Sequence, residues 1–291
     1  MSVCFKSLSR PLVPVDEIHD FYSIHGLTVP ADRPYSWSNN IQTLDGCLHF
    51  LEDVNDVSDI ALKNVPGNIG DNALADWRLL NSGWAFSDAV LLSGQILRDE
   101  KEVACSLKFD DLVDLRLNRL GKKTPHPIQL VITGGNIDLG HSLFKQDVVR
   151  VVLLTTETGA ATLESQRAQD PPVCHLTIKS FPHVGGKIDL TQVLRYLRIE
   201  MDIQFLDVSC GGSVSRQFVD LGVLDEVRMT IAGQVAGAFS STGQLRPQLW
   251  PALSSGVSFN PSNSPLVAWR DIRVIGQHHL FFRGVYQYRH L

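Results

Sequence analysis

An α/β fold, with a mostly parallel central sheet, helices on both faces and an antiparallel strand pair at the C-terminus, is predicted by three features of this sequence. Short apolar runs at residues 89–92, 128–132 and 148–154 have the length and β-branched content of strands buried on both faces. Each run exits into small or hydroxyl residues: Ser93-Gly94, Thr133-Gly134-Gly135 and Thr155-Thr156. Between the strand-like runs lie segments with apolar residues at helical spacing, notably 73–84 and 190–201.

The remaining elements follow in chain order. Residues 1–34 carry four prolines around one helical patch, 15–22, and read as an N-terminal extension preceding a single domain at 35–291. Residues 35–44 form a strand candidate ending at the turn signal Asp45-Gly46, and 47–51 form the next strand-like run. The acidic stretch 52–59 is placed outside the core, and Asp71 is placed to cap the helix that follows. Residues 160–172 read as a loop and 173–179 as a short strand. Residues 205–208 then form a buried strand running into Gly211-Gly212, with Ser213 where a helix begins. A strand at 229–235, a Ser-, Gly-, Pro- and Asn-rich surface loop at 239–265, and strands at 266–276 and 280–288 complete the chain.

A length of 291 residues with 44% hydrophobic content supports a sizeable core. The net charge of -5 and pI near 6.0 lack the basic footprint of a general nucleic-acid binder. Lys122-Lys123, a two-residue basic spot after Arg116 and Arg119, reads as a solvated helix end. The five cysteines lie far apart, with no C-x-x-C pair and no histidine at metal spacing, so no metal site is expected and they suit a reducing compartment as core residues. No stretch approaches the roughly 18 apolar residues of a membrane span. A soluble, cytoplasmic protein is the expectation. His278-His279 reads as a solvated turn, and the five tryptophans as core residues, with Trp84 the one placed to face a groove.

In open α/β sheets ligands bind beyond the carboxyl ends of the strands. The exits here are Asp45, Ser93, Gly94, Thr133, Gly134, Thr155, Thr156, Gly211 and Gly212. Glycine and hydroxyl groups suit phosphate and ribose, and no nucleophile motif or phosphate loop of the G-x-x-x-x-G-K-[ST] type accompanies them. A bound cofactor is therefore the expected carrier of the chemistry. Taken alone, Gly211-Gly212 reads either as an unliganded tight turn or as an anion cradle at a helix N-terminus.

Taken in order, these segments resemble the reductase domain of riboflavin biosynthesis, the RibD C-terminal family related to dihydrofolate reductase. Thr43-Leu-Asp-Gly46 is similar to the family's S-x-D-G, and Asp88-Ala-Val-Leu-Leu-Ser-Gly94 to its D-A-[VI]-L-V-G-x-G-T segment. Cys210-Gly-Gly-Ser213 with Gly222-Val-Leu-Asp-Glu226 resembles E-G-G followed by G-L-[VI]-D-E. The resemblance covers about residues 35–290. It implies a dihydrofolate reductase-like three-layer fold and a homodimeric, NADPH-dependent reductase that converts the ribose of a pyrimidine ribosylamine 5′-phosphate to the ribityl form. Thr43, Asp45, Gly46 and Trp84 would then meet the substrate, a small heterocyclic phosphate. Ser93, Gly94, Thr133, Gly134, Thr156, Gly211, Gly212 and Ser213 would meet the cofactor. Asp225-Glu226 would have a structural role.

The chain departs from that pattern at Ser93, Gln95, Ile96 and Cys210, and at Cys47 where the family often has Lys. A Gln at a turn needing positive φ carries steric and backbone penalties. The departures support an alternative reading, in which a catalytically altered or inactive homologue keeps the fold and dimer as a ligand- or protein-binding module.

Overall fold

The computed structural model describes residues 21–51, 70–251, 257–275 and 278–289. Strand β1 (Tyr35–Thr43) leads to helix α1 (Gly70–Phe86), strand β2 (Ala89–Ser93) and the short helix α2 (Gly94–Asp99). Helix α3 (Asp110–Asp114) winds on through a π turn at Leu115–Arg119 before β3 (Ile128–Ile132). Next come β4 (Arg150–Thr155), α4 (Glu157–Gln169), β5 (His175–Ser180), a two-residue hairpin of β6 (His183–Val184) with β7 (Lys187–Ile188), and α5 (Leu190–Ile199). Strand β8 (Phe205–Val208), helix α6 (Gly212–Asp220) and strands β9 (Glu226–Ala232), β10 (Leu266–Ile275) and β11 (His279–Gln287) close the chain.

Nine strands make one sheet in the order β10-β11-β9-β1-β8-β2-β3-β4-β5. The seven from β9 to β5 run parallel, and β11 joins antiparallel between β9 and β10. Strand β2 is buried at all five positions, as a run covered on both faces must be. One face carries α1, α3 and α4 over a core containing Leu79, Trp84, Leu112 and Leu163. The other carries α5 and α6 over Leu194, Leu197 and Phe218. The chain after β1 therefore crosses one face and the chain after β8 the other. These two strands are neighbours, so a topological switch point opens between their carboxyl ends.

A buried acid ties the layers beside this point. Asp207 on β8 is fully buried. Its Oδ2 accepts hydrogen bonds from Trp37 Nε1 at 2.9 Å and Asn39 Nδ2 at 2.8 Å, and its Oδ1 accepts from Ser209 Oγ at 2.7 Å. Tyr22 in turn donates its hydroxyl to Asn39 Oδ1 at 2.6 Å. Helix α1 can lie over this knot because it presents Gly83, where a Cβ would fall 2.6 Å from Asp207 Oδ2 and onto Asn39 Nδ2. One row toward the sheet edge, the fully buried Arg228 stacks over Trp37 at 4.0 Å and donates Nε to Glu226 at 2.7 Å, which Arg283 also meets at 2.8 Å. Burial alone would raise the Glu226 pKa; the two guanidiniums outweigh it and hold the carboxyl below its ordinary value.

Several expectations need correction. Residues 160–169 belong to α4, whose sequence hides it: Leu163 is its one large apolar residue, so no apolar stripe marks the helix, and the Thr156 cap with a buried Gly159 sets it instead. Residues 47–51 form no strand, only an isolated bridge from Cys47 to Gln248. Strand β9 begins at Glu226, three residues earlier than expected, because buried ion pairs replace the apolar residues that usually mark a strand start. Asp71 lies inside the first turn of α1 rather than before it. Of the basic pair expected in solvent, Lys122 is half-buried and pairs with Asp88 at 2.6 Å; Arg116 upstream is buried and donates Nη1 to the carbonyls of Ala85 at 3.0 Å and Ser87 at 2.6 Å, closing the C-terminus of α1. His279 is buried in β11, while Trp269 is exposed and Trp77 and Trp250 are partly so. The four described cysteines are buried free thiols. The helical patch at 15–20, the acidic stretch 52–59 and Gln277 lie outside the described residues.

Burial pushes the Asp207 carboxyl up from 3.8 to about 6 despite the hydrogen bonds and Arg228, which work the other way. The folded state therefore holds this proton more tightly than the unfolded state. The stability Asp207 contributes is complete below about pH 4 and is lost as pH rises through about 6, an effect of about 3 kcal/mol for a two-unit shift. Asp207→Asn keeps the acceptor for Trp37 and Asn39 but cannot ionise. Its Tm relative to the wild type should climb between pH 4 and pH 7, with other groups such as His279 cancelling in the difference. A pH-independent difference in thermal melts would show that the acid does not titrate in the fold.

Candidate functional site

The parallel strands bring all the expected exits to one edge of the sheet, where they fall into two groups. The first lies at the switch point. Thr43 donates its hydroxyl to Asp45 Oδ1 at 2.5 Å and accepts from the Cys47 amide at 2.9 Å, which closes the turn around Gly46 at φ 89°. Asp45 is exposed, but its carboxylate oxygens accept the amides of Ala236 at 3.1 Å and Gly237 at 2.7 Å. Partial desolvation alone would raise its pKa; the Thr43 hydroxyl and these amides outweigh that and hold it below the ordinary value. It is an ionised anchor for the 236–237 turn and not a proton donor at neutral pH.

The segment Pro247 to Pro251 spans from this turn to the glycine turn after β8. Leu48 N donates to Pro247 O at 2.8 Å and Leu249 N to Gly46 O at 3.1 Å. Gly212 packs directly on this backbone: a Cβ there would run into Gln248 O and lie 3.0 Å from Leu249 O. The second glycine of the pair is thus explained by the chain's own close approach, which no local pattern near residue 212 reveals. Gly211 differs. It is the N-cap of α6 at φ -65°, and a Cβ there would meet none of the described residues within 4 Å. Ser213 is exposed in the first turn of the helix. Trp84 is buried beneath, donating Nε1 to Ser209 Oγ at 3.4 Å, so the indole supports the groove floor and offers it no face. Cys210 points away from the groove and donates its thiol to Leu91 O at 3.1 Å, with burial pushing its pKa upward.

The second group lies across β2, β3 and β4. Gly94 packs against Thr133, where a Cβ would approach Oγ1 to 2.8 Å. Thr133 Oγ1 accepts the Gly135 amide at 3.1 Å, Ser93 Oγ accepts the Ile96 amide at 3.4 Å, and Thr156 Oγ1 accepts the Gly159 amide at 3.0 Å. These hydroxyls are first of all turn and helix caps. Gly134 is exposed with nothing within 4 Å of a Cβ, so a ligand has backbone access there. Residues 93–96 carry no positive φ among the described residues, so Gln95 bears no backbone penalty. It sits within α2, accepting from Arg98 at 2.5 Å and donating to Asp99 at 2.7 Å.

Three residues of the crevice escaped the sequence reading: Asn40, Gln42 and Gln248. The signal for the first two was present in β1, whose alternate residues Ser36, Ser38, Asn40 and Gln42 put a polar row on one face of a central strand. Among the described residues, no cluster of three or more metal-ligating side chains occurs and no helix is long and apolar enough to cross a membrane.

A seven-stranded parallel run with an antiparallel end, whose glycine exits flank a switch point, defines an α/β protein of the pyrimidine reductase-like fold. Solved structures share it. A pyrimidine reductase-like protein of Corynebacterium diphtheriae is similar at 15% identity over 94% of this chain and 99% of its own, with a TM-score of 0.63. The riboflavin biosynthesis reductase Rib7 of Saccharomyces cerevisiae is similar at 12% identity over 94% and 98%, with a TM-score of 0.52. RibD of Acinetobacter baumannii is similar at 12% identity over 88% of this chain, with a TM-score of 0.56, and this chain spans 59% of that protein's length. No curated protein matches the sequence. Residues 34–254 match the model of the RibD C-terminal domain, and the chain belongs to that family.

The two glycines of the turn separate by stability. Gly212→Ala should lower stability by about 1–3 kcal/mol through overpacking against residue 248. Gly211→Ser, which places a favoured N-cap side chain in open space, should leave Tm unchanged or raise it. Thermal melts of the two variants test this placement of the 247–251 segment.

Proposed function

We propose that this chain is an NADPH-dependent reductase of the riboflavin-biosynthesis type, acting on the ribose of a pyrimidine ribosylamine 5′-phosphate. The observation that carries the reading is Gly211: an open N-cap beside the switch point, where unpaired amides at a helix N-terminus favour an anion. The family and the reductase names of its structural neighbours support the same class. When bound, the cofactor supplies the hydride. Gly211 and Ser213 would face its phosphates on one side of the crevice, with Gly212 beneath the 248–249 backbone; Ser93, Gly94, Thr133, Gly134 and Thr156 would line its course along the exits of β2 to β4. The substrate would lie toward Thr43, Asp45 and Gly46, with Trp84 fixing the floor through Ser209. A homodimer in the cytoplasm belongs to this reading. The open edge of β10, with Leu266, Trp269 and Val274 exposed, offers the kind of surface two copies bury.

A second reading, a catalytically altered homologue, is favoured by particular contacts. Gly212 is covered by residues 248–249, and the Asp45 carboxylate is taken up by the 236–237 turn. One experiment separates the two. Calorimetric titration of the full chain with NADPH should show saturable sub-millimolar binding. Gly211→Asp should abolish it without lowering Tm, since Asp suits an N-cap but sets a negative charge against phosphate. No binding by the wild type would leave the second reading, and undiminished binding by the variant would place the cofactor elsewhere.

A further inference from the structure

Two side-chain amides at the switch point each carry a buried atom that, among the described residues, lacks the partner buried polar groups normally have. Asn40 and Gln42 lie two residues apart on the same face of β1, and their Nδ2 and Oε1 atoms are buried with no hydrogen bond. Gln42 is only 9% exposed. The amide of the half-buried Gln248 lies close by: its Oε1 is 3.3 Å from the Cβ position of Gly46, and Gln42 Oε1 is 3.9 Å from the same point. Two amide heads from distant parts of the chain thus converge beside the turn that ends β1.

The surroundings define what such a group takes. Across the strand pair from Asn40 and Gln42 stand Met229 and Ile231 of β9. Met229 packs with Leu249 and Phe282 in a buried apolar cluster. On the opposite side β8 has already ended at Val208, which leaves Asn40 and Gln42 beside the exit toward Gly211. In an apolar setting an ion would be penalised, whereas a neutral amide pairing is strengthened. A side-chain amide offers one donor group and one acceptor, and its complement presents the same two side by side. The orphaned atoms destabilise the fold as it stands, a cost tolerated where a ligand supplies the missing partners.

We infer that Asn40, Gln42 and Gln248 form an amide-reading row that selects an uncharged heterocycle bearing a carboxamide or a ring amide at the switch point. The inference rests on the reductase reading, and such a group occurs in both of its ligands: the nicotinamide carboxamide and the pyrimidine ring. Calorimetry on the full chain with NADPH and with uridine 5′-monophosphate tells these apart, using Gln42→Met and Gln248→Met as near-isosteric variants. Gln42→Met should melt at or above the wild-type temperature, and each variant should bind one probe at least tenfold more weakly. Loss confined to NADPH assigns the row to the cofactor, and loss confined to the uridine nucleotide assigns it to the substrate. Unchanged affinity for both probes in both variants overturns the row and leaves the reductase reading standing. A wild type that binds neither probe overturns both. Residue 248 lies on the surface segment, so its variant carries the test if the one inside β1 fails to fold.

Discussion

The structure depends on one buried carboxylate. Among the described residues Asp207 has no cation in direct contact; it is held by the Trp37 indole, the Asn39 amide and the Ser209 hydroxyl. Such a group is tolerated only if its acceptor capacity is met inside the protein. That demand fixes the register of β1 against β8, the residue that α1 presents at position 83, and the course of the chain as it leaves β8. The same knot stands behind the crevice, because Ser209 joins the acid to Trp84. Binding geometry and fold stability are therefore set by one network.

Strand β1 shows how a central strand serves two purposes. Its odd-numbered residues Trp37 and Asn39 face α1 and close the polar knot, whereas Ser38, Asn40 and Gln42 face the opposite layer with polar atoms unpaired. A strand with polar residues on both faces is poorly suited to hold a sheet by hydrophobic burial alone. Its position rests on backbone ladders to β8 and β9 and on the neighbouring apolar rows. Selection for stability alone would favour valine or isoleucine at these positions.

Much of the fold was legible because its strands are buried on both faces and leave the sheet through small residues, a pattern visible within six or seven positions. Helix α4 was not legible, since a helix with one large apolar residue has no period to detect. The glycine exits were legible as positions and misleading in part as chemistry. Gly212 answers to Gln248, and Ser93 and Thr156 are occupied as helix caps, relations that depend on distant contacts or on turn geometry. The role of Arg116 was hidden for a similar reason: a basic residue near the end of a helix usually meets water, but this one completes the carbonyl end of another helix. Composition records residue types, and the partner that decides their role is supplied only by the topology.

At the exits of β3 and β4, Gly135 lies so close to Gly159 that a Cβ on the former would fall 3.2 Å from the carbonyl oxygen of the latter, and no side chain fits between them. The turn after β3 thus meets the first turn of α4 main chain to main chain, like two links of a hinge pinned without a washer. The lengths of the two connections are consequently not independent. An insertion in either one must be matched by a change in the other, so grafting a loop from a relative into this chain requires moving both as a single cassette.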